Sequence, residues 1–122
     1  MKFCRFDDDR YGVVNGDKVH DITSVVEKVL AGKKKARWGD PMIAHLDEIR
    51  AAVGDGSSYP AKALSAVTLL SPTANPSKLI AAPTNYHAHV AEMEARRPGQ
   101  PPGKGIAGSG LFLKANSAMV GT

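Results

Sequence analysis

His89 and Glu92 stand three residues apart in the stretch Tyr86-His87-Ala88-His89-Val90-Ala91-Glu92-Met93. On a helix, residues at that spacing share a face. A carboxylate beside an imidazole fixes its tautomer and raises its basicity, which suits a base that activates water. The plainer reading of the same pair is a surface ion pair, worth little. His87 and His89 also form His-x-His. At a strand end that spacing can bring two imidazoles to one metal. On a helix the two point about 200° apart and cannot share one. The sequence predicts a helix here, with no obvious third ligand. Lys114 follows the apolar run Leu111-Phe112-Leu113. It is either a strand-end cation in solvent or a group that holds a substrate carboxylate or oxyanion.

Other clusters carry weaker signals. Lys33-Lys34-Lys35-Ala36-Arg37-Trp38 places four cations beside an indole. That pattern suits phosphates with a stacked base, or simply a solvated loop between helices. Asp7-Asp8-Asp9 reads as a charged hairpin turn before it reads as a metal lure. Cys4 is the single cysteine and is expected to face a core. It allows no intrachain disulfide and no cysteine metal cluster. Residues 99–104 miss the phosphate-loop spacing by one, and Gly105 stands where a Ser or Thr is required.

The elements that position these residues follow from pattern. Residues 1–6 read as a strand. Residues 11–14 and 18–20 flank Asn15-Gly16, a dipeptide that tolerates positive φ at both central positions of a tight hairpin. Ser24 and Glu27 have capping-box spacing ahead of the stripe Val25, Val26, Val29 and Leu30, with Gly32 as the stop. Asp40-Pro41 starts a second helix, cap then first-turn proline. Met42, Ile43, Leu46, Ile49 and Val53 predict its buried face, and Gly54 its end. Residues 54–63 read as a polar loop, 67–70 and 79–82 as strands, 86–96 as a helix and 111–113 as a strand. Residues 97–110 hold five Gly and three Pro in fourteen positions, so little apolar surface offsets their backbone entropy, and a mobile segment is expected.

With 122 residues, 43% hydrophobic and 23% charged, the chain has an ordinary globular mix. That excludes collagen, a coiled-coil rod and a wholly disordered chain. No apolar run is long enough to span a bilayer, and residues 1–10 lack the apolar core of a secretory signal. A cytoplasmic location is the expectation. Sixteen basic against twelve acidic residues give +4, which permits an anionic partner without demanding one.

The stretch Ala82-Pro83-Thr84-Asn85-Tyr86-His87-Ala88-His89-Val90-Ala91-Glu92-Met93 resembles the fumarylacetoacetate hydrolase family. Further stretches stand in the family's order. Leu70-Ser71-Pro72 through Pro76-Ser77-Lys78-Leu79-Ile80 is similar to the opening of its conserved domain. Leu111-Phe112-Leu113-Lys114-Ala115-Asn116-Ser117-Ala118-Met119-Val120-Gly121 is similar to its Phe-x-Lys…Ser…Gly segment. Cys4-Arg5-Phe6 through Asp21 is similar to the N-terminal domain that many members carry.

The resemblance implies an α+β fold: a small N-terminal α/β domain with a hairpin and two helices over 1–70, then the first part of a mixed β-roll over 71–122. It implies a metal-dependent enzyme, using magnesium, manganese or calcium, that acts on small oxo acids by C–C hydrolysis, decarboxylation or isomerisation. His89 would then be the general base, Glu92 its orienting carboxylate and Lys114 the group that stabilises substrate charge or protonates the leaving carbanion. Asn85 and Tyr86 would shape the pocket wall, and residues 97–110 would cover the site. The implied assembly is a homodimer. The family's acidic metal ligands lie beyond its Phe-x-Lys-x-x-Ser segment, and the sequence stops at Thr122. The expectation is therefore an N-terminal fragment that binds no metal, is inactive by itself and tends to self-associate through the unpaired edges of 78–122. The rival reading is a small basic nucleic-acid-binding or regulatory partner module. A membrane partner is not expected.

Overall fold

Two tight turns set the first sheet. In the computed structural model, which describes residues 1–34, 37–83, 86–99 and 105–121, β1 (Lys2–Phe6) turns through Asp7, Asp8 and Asp9 into β2 (Arg10–Asn15). Asp7 and Asp9 adopt left-handed φ of 47° and 61°, a conformation that short polar side chains tolerate. The Asp7 carboxylate accepts the Thr68 N–H and the Lys62 ammonium, each at 3.0 Å. The Thr68 bond and then Lys62 hold its pKa below the usual aspartate value. The second turn joins β2 to β3 (Lys18–Asp21). Asn15 pairs with Lys18, so Gly16 and Asp17 are the central residues, one position later than Asn15-Gly16. Gly16 takes φ 60°. Positive φ at the first central position alone is the type II′ arrangement, which needs glycine there and not Asn-Gly.

The sheet is antiparallel in the order β1-β2-β3-β4, with β4 at Ala61–Ala63. This strand lies inside the stretch expected to be a polar loop. It forms because the His20–Ala61 and Lys18–Ala63 pairings satisfy backbone groups that a loop would leave to water. One face of the sheet packs against helices. Val13, Ile22, Val26, Met42, Ile49 and Val53 form the buried cluster, flanked by Phe3 and Tyr11. On the other face Val19, Cys4 and Phe6 close over Gly12, where an added Cβ would lie 2.5 Å from Val19 Cγ1. Cys4 is half-buried, and that burial raises its thiol pKa.

Helix α1 (Thr23–Leu30) starts earlier than its capping box required. Asp21 Oδ1 accepts the Thr23 N–H at 3.0 Å, which places Ser24 inside the first turn with no cap to make. At Asp40-Pro41 the expected cap forms, with Asp40 Oδ1 accepting the Met42 N–H at 2.9 Å. The single helix expected to follow is two, α2 (Pro41–Ala44) and α3 (Leu46–Val53). They break at His45, whose φ and ψ are −121° and 27°. Its ring Nδ1 lies 3.0 Å from Glu48 Oε1, on a carboxylate that also receives Lys33. Ile43 lies about 100° round the helix from Met42 and is 51% exposed, off the buried stripe. Residues 67–70 do not form a full strand. They make one bridge, Phe6 to Leu69, and the Leu70 N–H donates to the Arg5 carbonyl.

Residues 1–77 and 119–121 form this first unit, and Lys78–Ala118 a second. The second unit has a two-stranded antiparallel sheet, β5 (Leu79–Ala81) with β6 (Phe112–Lys114), and two helices, α4 (His87–Arg96) and α5 (Gly105–Ser109). α5 lies within the segment expected to be mobile, of which residues 100–104 fall outside the described residues. None of the described residues of this unit is buried. Ile80, Leu111, Phe112 and Leu113 are 45–68% exposed. The fold is a mixed α and β structure with antiparallel sheets.

Candidate active site

Helix α4 carries the His-x-x-Glu pair. Tyr86 caps it in extended conformation, and its carbonyl accepts the His89 N–H at 3.0 Å and the Val90 N–H at 3.1 Å. That turn brings the Tyr86 ring onto the His89 imidazole, with centroids 5.4 Å apart and planes inclined by 27°. His89 Nδ1 lies 3.5 Å from Glu92 Oε2. The other carboxylate oxygen, Oε1, accepts from the Arg96 guanidinium one turn on. Tyr86, His89, Glu92 and Arg96 thus run along one helix face. Arg96 was not singled out from the sequence, although Glu followed by Arg at i,i+4 is a readable ion-pair spacing.

The electrostatics of the string are simple. Glu92 divides its charge between Arg96 and His89. A separation of 3.5 Å is longer than a charge-assisted hydrogen bond, which runs about 2.7–2.9 Å. Catalytic hydrogen bonds of this kind are often long before substrate arrives. His89 is about one-third exposed, so its free ring edge is open to a water or substrate.

Lys114 is the last residue of β6 and pairs with Leu79. Phe112 and Lys114 share a face of the ribbon, with Leu113 on the other. Among the described residues no hydrogen bond or ion pair joins Lys114 to His89 or Glu92. Helix α4 therefore brings Tyr86, His89 and Glu92 together by direct contact, while Lys114 sits on a separate strand. Asn85 lies outside the described residues. His87 and His89 both lie on α4, where two-residue spacing separates their rings. Among the described residues no three His, Cys, Asp or Glu side chains converge as a metal site.

The basic segment has different commitments. Lys33 donates to both oxygens of Glu48, at 2.7 and 2.6 Å. The Arg37 guanidinium lies 5.7 Å from the centroid of the Trp38 ring. Lys35 and Ala36 lie outside the described residues.

No family model matches the chain. A maleylpyruvate hydrolase of Aquipseudomonas alcaligenes is 41% identical over 129 aligned residues, which take in 99% of this chain and 44% of that protein. The crystal structure of a maleylpyruvate hydrolase from Sphingobium sp. SYK-6 superposes with a TM-score of 0.63 at 31% identity, covering 98% of this chain and 38% of that one. A second structure of the Sphingobium enzyme, in complex with manganese (II) ion and pyruvate, gives 0.62 at 31% identity, covering 98% and 39%. The chain thus spans about two fifths of the length of the relatives it matches.

Proposed function

We propose, for a chain that belongs to the fumarylacetoacetate hydrolase family, that it contributes the general base of an enzyme hydrolysing a C–C bond in a small oxo acid of the maleylpyruvate type. The observation that carries this reading is the Glu92 carboxylate beside His89 Nδ1. With its Nδ1–H directed at Glu92, neutral His89 keeps Nε2 as the free acceptor. That nitrogen takes a proton from water as the water oxygen bonds to the substrate carbonyl carbon. The C–C bond then breaks, and the departing carbanion takes the proton now held by His89 or one donated by Lys114. Lys114, an exposed cation, stabilises the oxyanion or the carbanion that forms. Tyr86, flat against the imidazole, holds the ring and shapes the wall beside it, with Asn85 next to it in the chain. Decarboxylation or isomerisation would use the same base.

A divalent cation belongs to the same reading, since a relative is known with manganese (II) ion and pyruvate. Bound, it would polarise the substrate's oxygens. The described residues offer no three converging ligands, so they do not fit a metal by themselves. A homodimeric, cytoplasmic enzyme completes the reading, with the 122-residue chain inactive alone.

The test is a chimera in which this chain replaces the matching segment of the Aquipseudomonas enzyme, assayed on maleylpyruvate with manganese. Activity is expected. His89→Ala should lower turnover by about 10²–10⁴-fold, and Glu92→Gln by less. A His89→Ala chimera that turns over like its parent overturns the assignment.

A further inference from the structure

The first unit contains a cavity of about 340 Å³ between the end of α1, the 37–41 segment and α2. That volume is at the lower end of the range for small-molecule sites, which run about 300–1,000 Å³. Leu30, Pro41 and Ala44 give it apolar walls, and Trp38, half exposed, adds a flat aromatic one. Lys33, Lys34 and His45 supply the polar side.

The charges sort themselves by partner. Asp40 also lines the cavity, but both its oxygens are taken: Oδ1 by the Met42 N–H and Oδ2 by the Ala74 N–H. Lys33 is neutralised by Glu48, the carboxylate that also faces His45 Nδ1. Lys34 has no counter-ion among the described residues. Among the described residues the cavity therefore presents the Lys34 ammonium without a counter-ion, a Lys33–Glu48–His45 cluster in which Lys33 Nζ lies 3.4 Å from His45 Nδ1, and apolar surface. A lone cation over apolar walls suits a monoanion with a hydrophobic body. A phosphate would want several free converging donors, and among the described residues the second ammonium, Lys33, is already held by Glu48. The flat indole favours a planar ring.

We propose that this cavity binds a small planar aromatic carboxylate, with its ring against Leu30, Pro41 and Trp38 and its carboxylate on the Lys34 ammonium. The cavity is lined by residues of the first unit, whereas His89, Glu92 and Lys114 belong to the second.

Trp38 is the single tryptophan of the chain, so its fluorescence reads the cavity directly. The experiment titrates the 122-residue chain with sodium benzoate, exciting the indole where benzoate is transparent, and repeats it with uncharged benzamide. Benzoate is expected to give a saturable change with Kd of about 1 mM or lower, and benzamide one about tenfold weaker. Lys34→Gln should weaken benzoate about tenfold and leave benzamide unchanged. Ala44→Leu, which fills the cavity, should abolish both responses while circular dichroism shows the fold retained. A non-saturating response, equal affinity for benzoate and benzamide, or a Lys34→Gln chain that binds benzoate like its parent overturns the proposal. A response to a single-stranded oligonucleotide without one to benzoate also overturns it, in favour of nucleic-acid contact.

Discussion

Replacing Asp40 tests how the first unit is joined. Asp40 is 9% exposed. Its Oδ1 accepts the Met42 N–H at 2.9 Å and starts α2, and its Oδ2 accepts the Ala74 N–H at 2.7 Å and ties down a segment 34 residues away. Gly39 N–H to the Asn75 carbonyl, and Asn75 Nδ2 to the Arg37 carbonyl, close the same joint from the other side. Losing an N-cap costs about 0.5–2 kcal/mol, and leaving the half-buried Ala74 N–H unpaired adds about 1–2 kcal/mol, toward the lower end of the range for a buried donor. Asp40→Ala removes both and should cost about 2–4 kcal/mol. Asp40→Asn keeps one acceptor oxygen and turns an N–H₂ toward the other donor, so it should cost about half as much. A unit of this size has a total stability of roughly 4–12 kcal/mol, so the loss is a large share. Urea unfolding followed by Trp38 fluorescence measures it. At an m-value of about 1 kcal/mol/M the Asp40→Ala midpoint should fall by about 2 M or more. Alanine and asparagine chains that both unfold at the parent's urea concentration would refute the idea that this carboxylate is the joint.

Two further outcomes follow from the sheet. Gly12→Ala forces a methyl to 2.5 Å from Val19 Cγ1 and 2.9 Å from Cys4 Sγ, so thermal unfolding should show a loss of about 1–3 kcal/mol. A second change, Val19→Ala, should recover part of it in the double variant. Asp21 gives the pH dependence. Burial raises its pKa, but the Thr23 bonds and Arg10 outweigh that and leave it below the ordinary value near 3.8. A carboxylate with a depressed folded pKa contributes stability above its unfolded value and loses it as pH falls through the folded one. Unfolding midpoints should therefore hold from neutrality to about pH 5 and drop below about pH 4. Asp21→Asn should flatten that drop, and an unchanged acid profile would remove Asp21 from the account.

Local signals carried much of this fold. The Asp40-Pro41 start, the Gly54 stop and the hairpin after β2 were legible because each is settled within a few residues of chain. The misses came where a distant group decided. The capping box at Ser24 lost to Asp21, which already served the helix start. The break at His45 answers to Lys33 and Glu48, and Lys33 lies twelve residues away. β4 was invisible because Ala61-Lys62-Ala63 carries no strand pattern and exists only as the partner of β3. For the candidate site, spacing foretold the contact of His89 with Glu92, whereas Lys114, expected just beyond a strand at 111–113, is the last residue of β6. It did not foretell the claim of Arg96 on Glu92 or the stacking of Tyr86, because both depend on rotamers. The identical spacing in His45-x-x-Glu48 makes a closer contact, 3.0 Å, in the first unit, and His45 lines the cavity there.

The sheet order β1-β2-β3-β4 repeats the chain order, and that bears on synthesis as much as on stability. Each strand pairs with one already made, so no strand waits for a partner from the far end. By Val53 every member of the buried cluster has been polymerised, and by Ala63 the last edge is in place. Neighbour-to-neighbour pairing keeps loop-closure entropy small and folding fast. At about 5–20 residues per second of translation, the four-stranded sheet and its buried cluster can form while the residues of α4 are still being added.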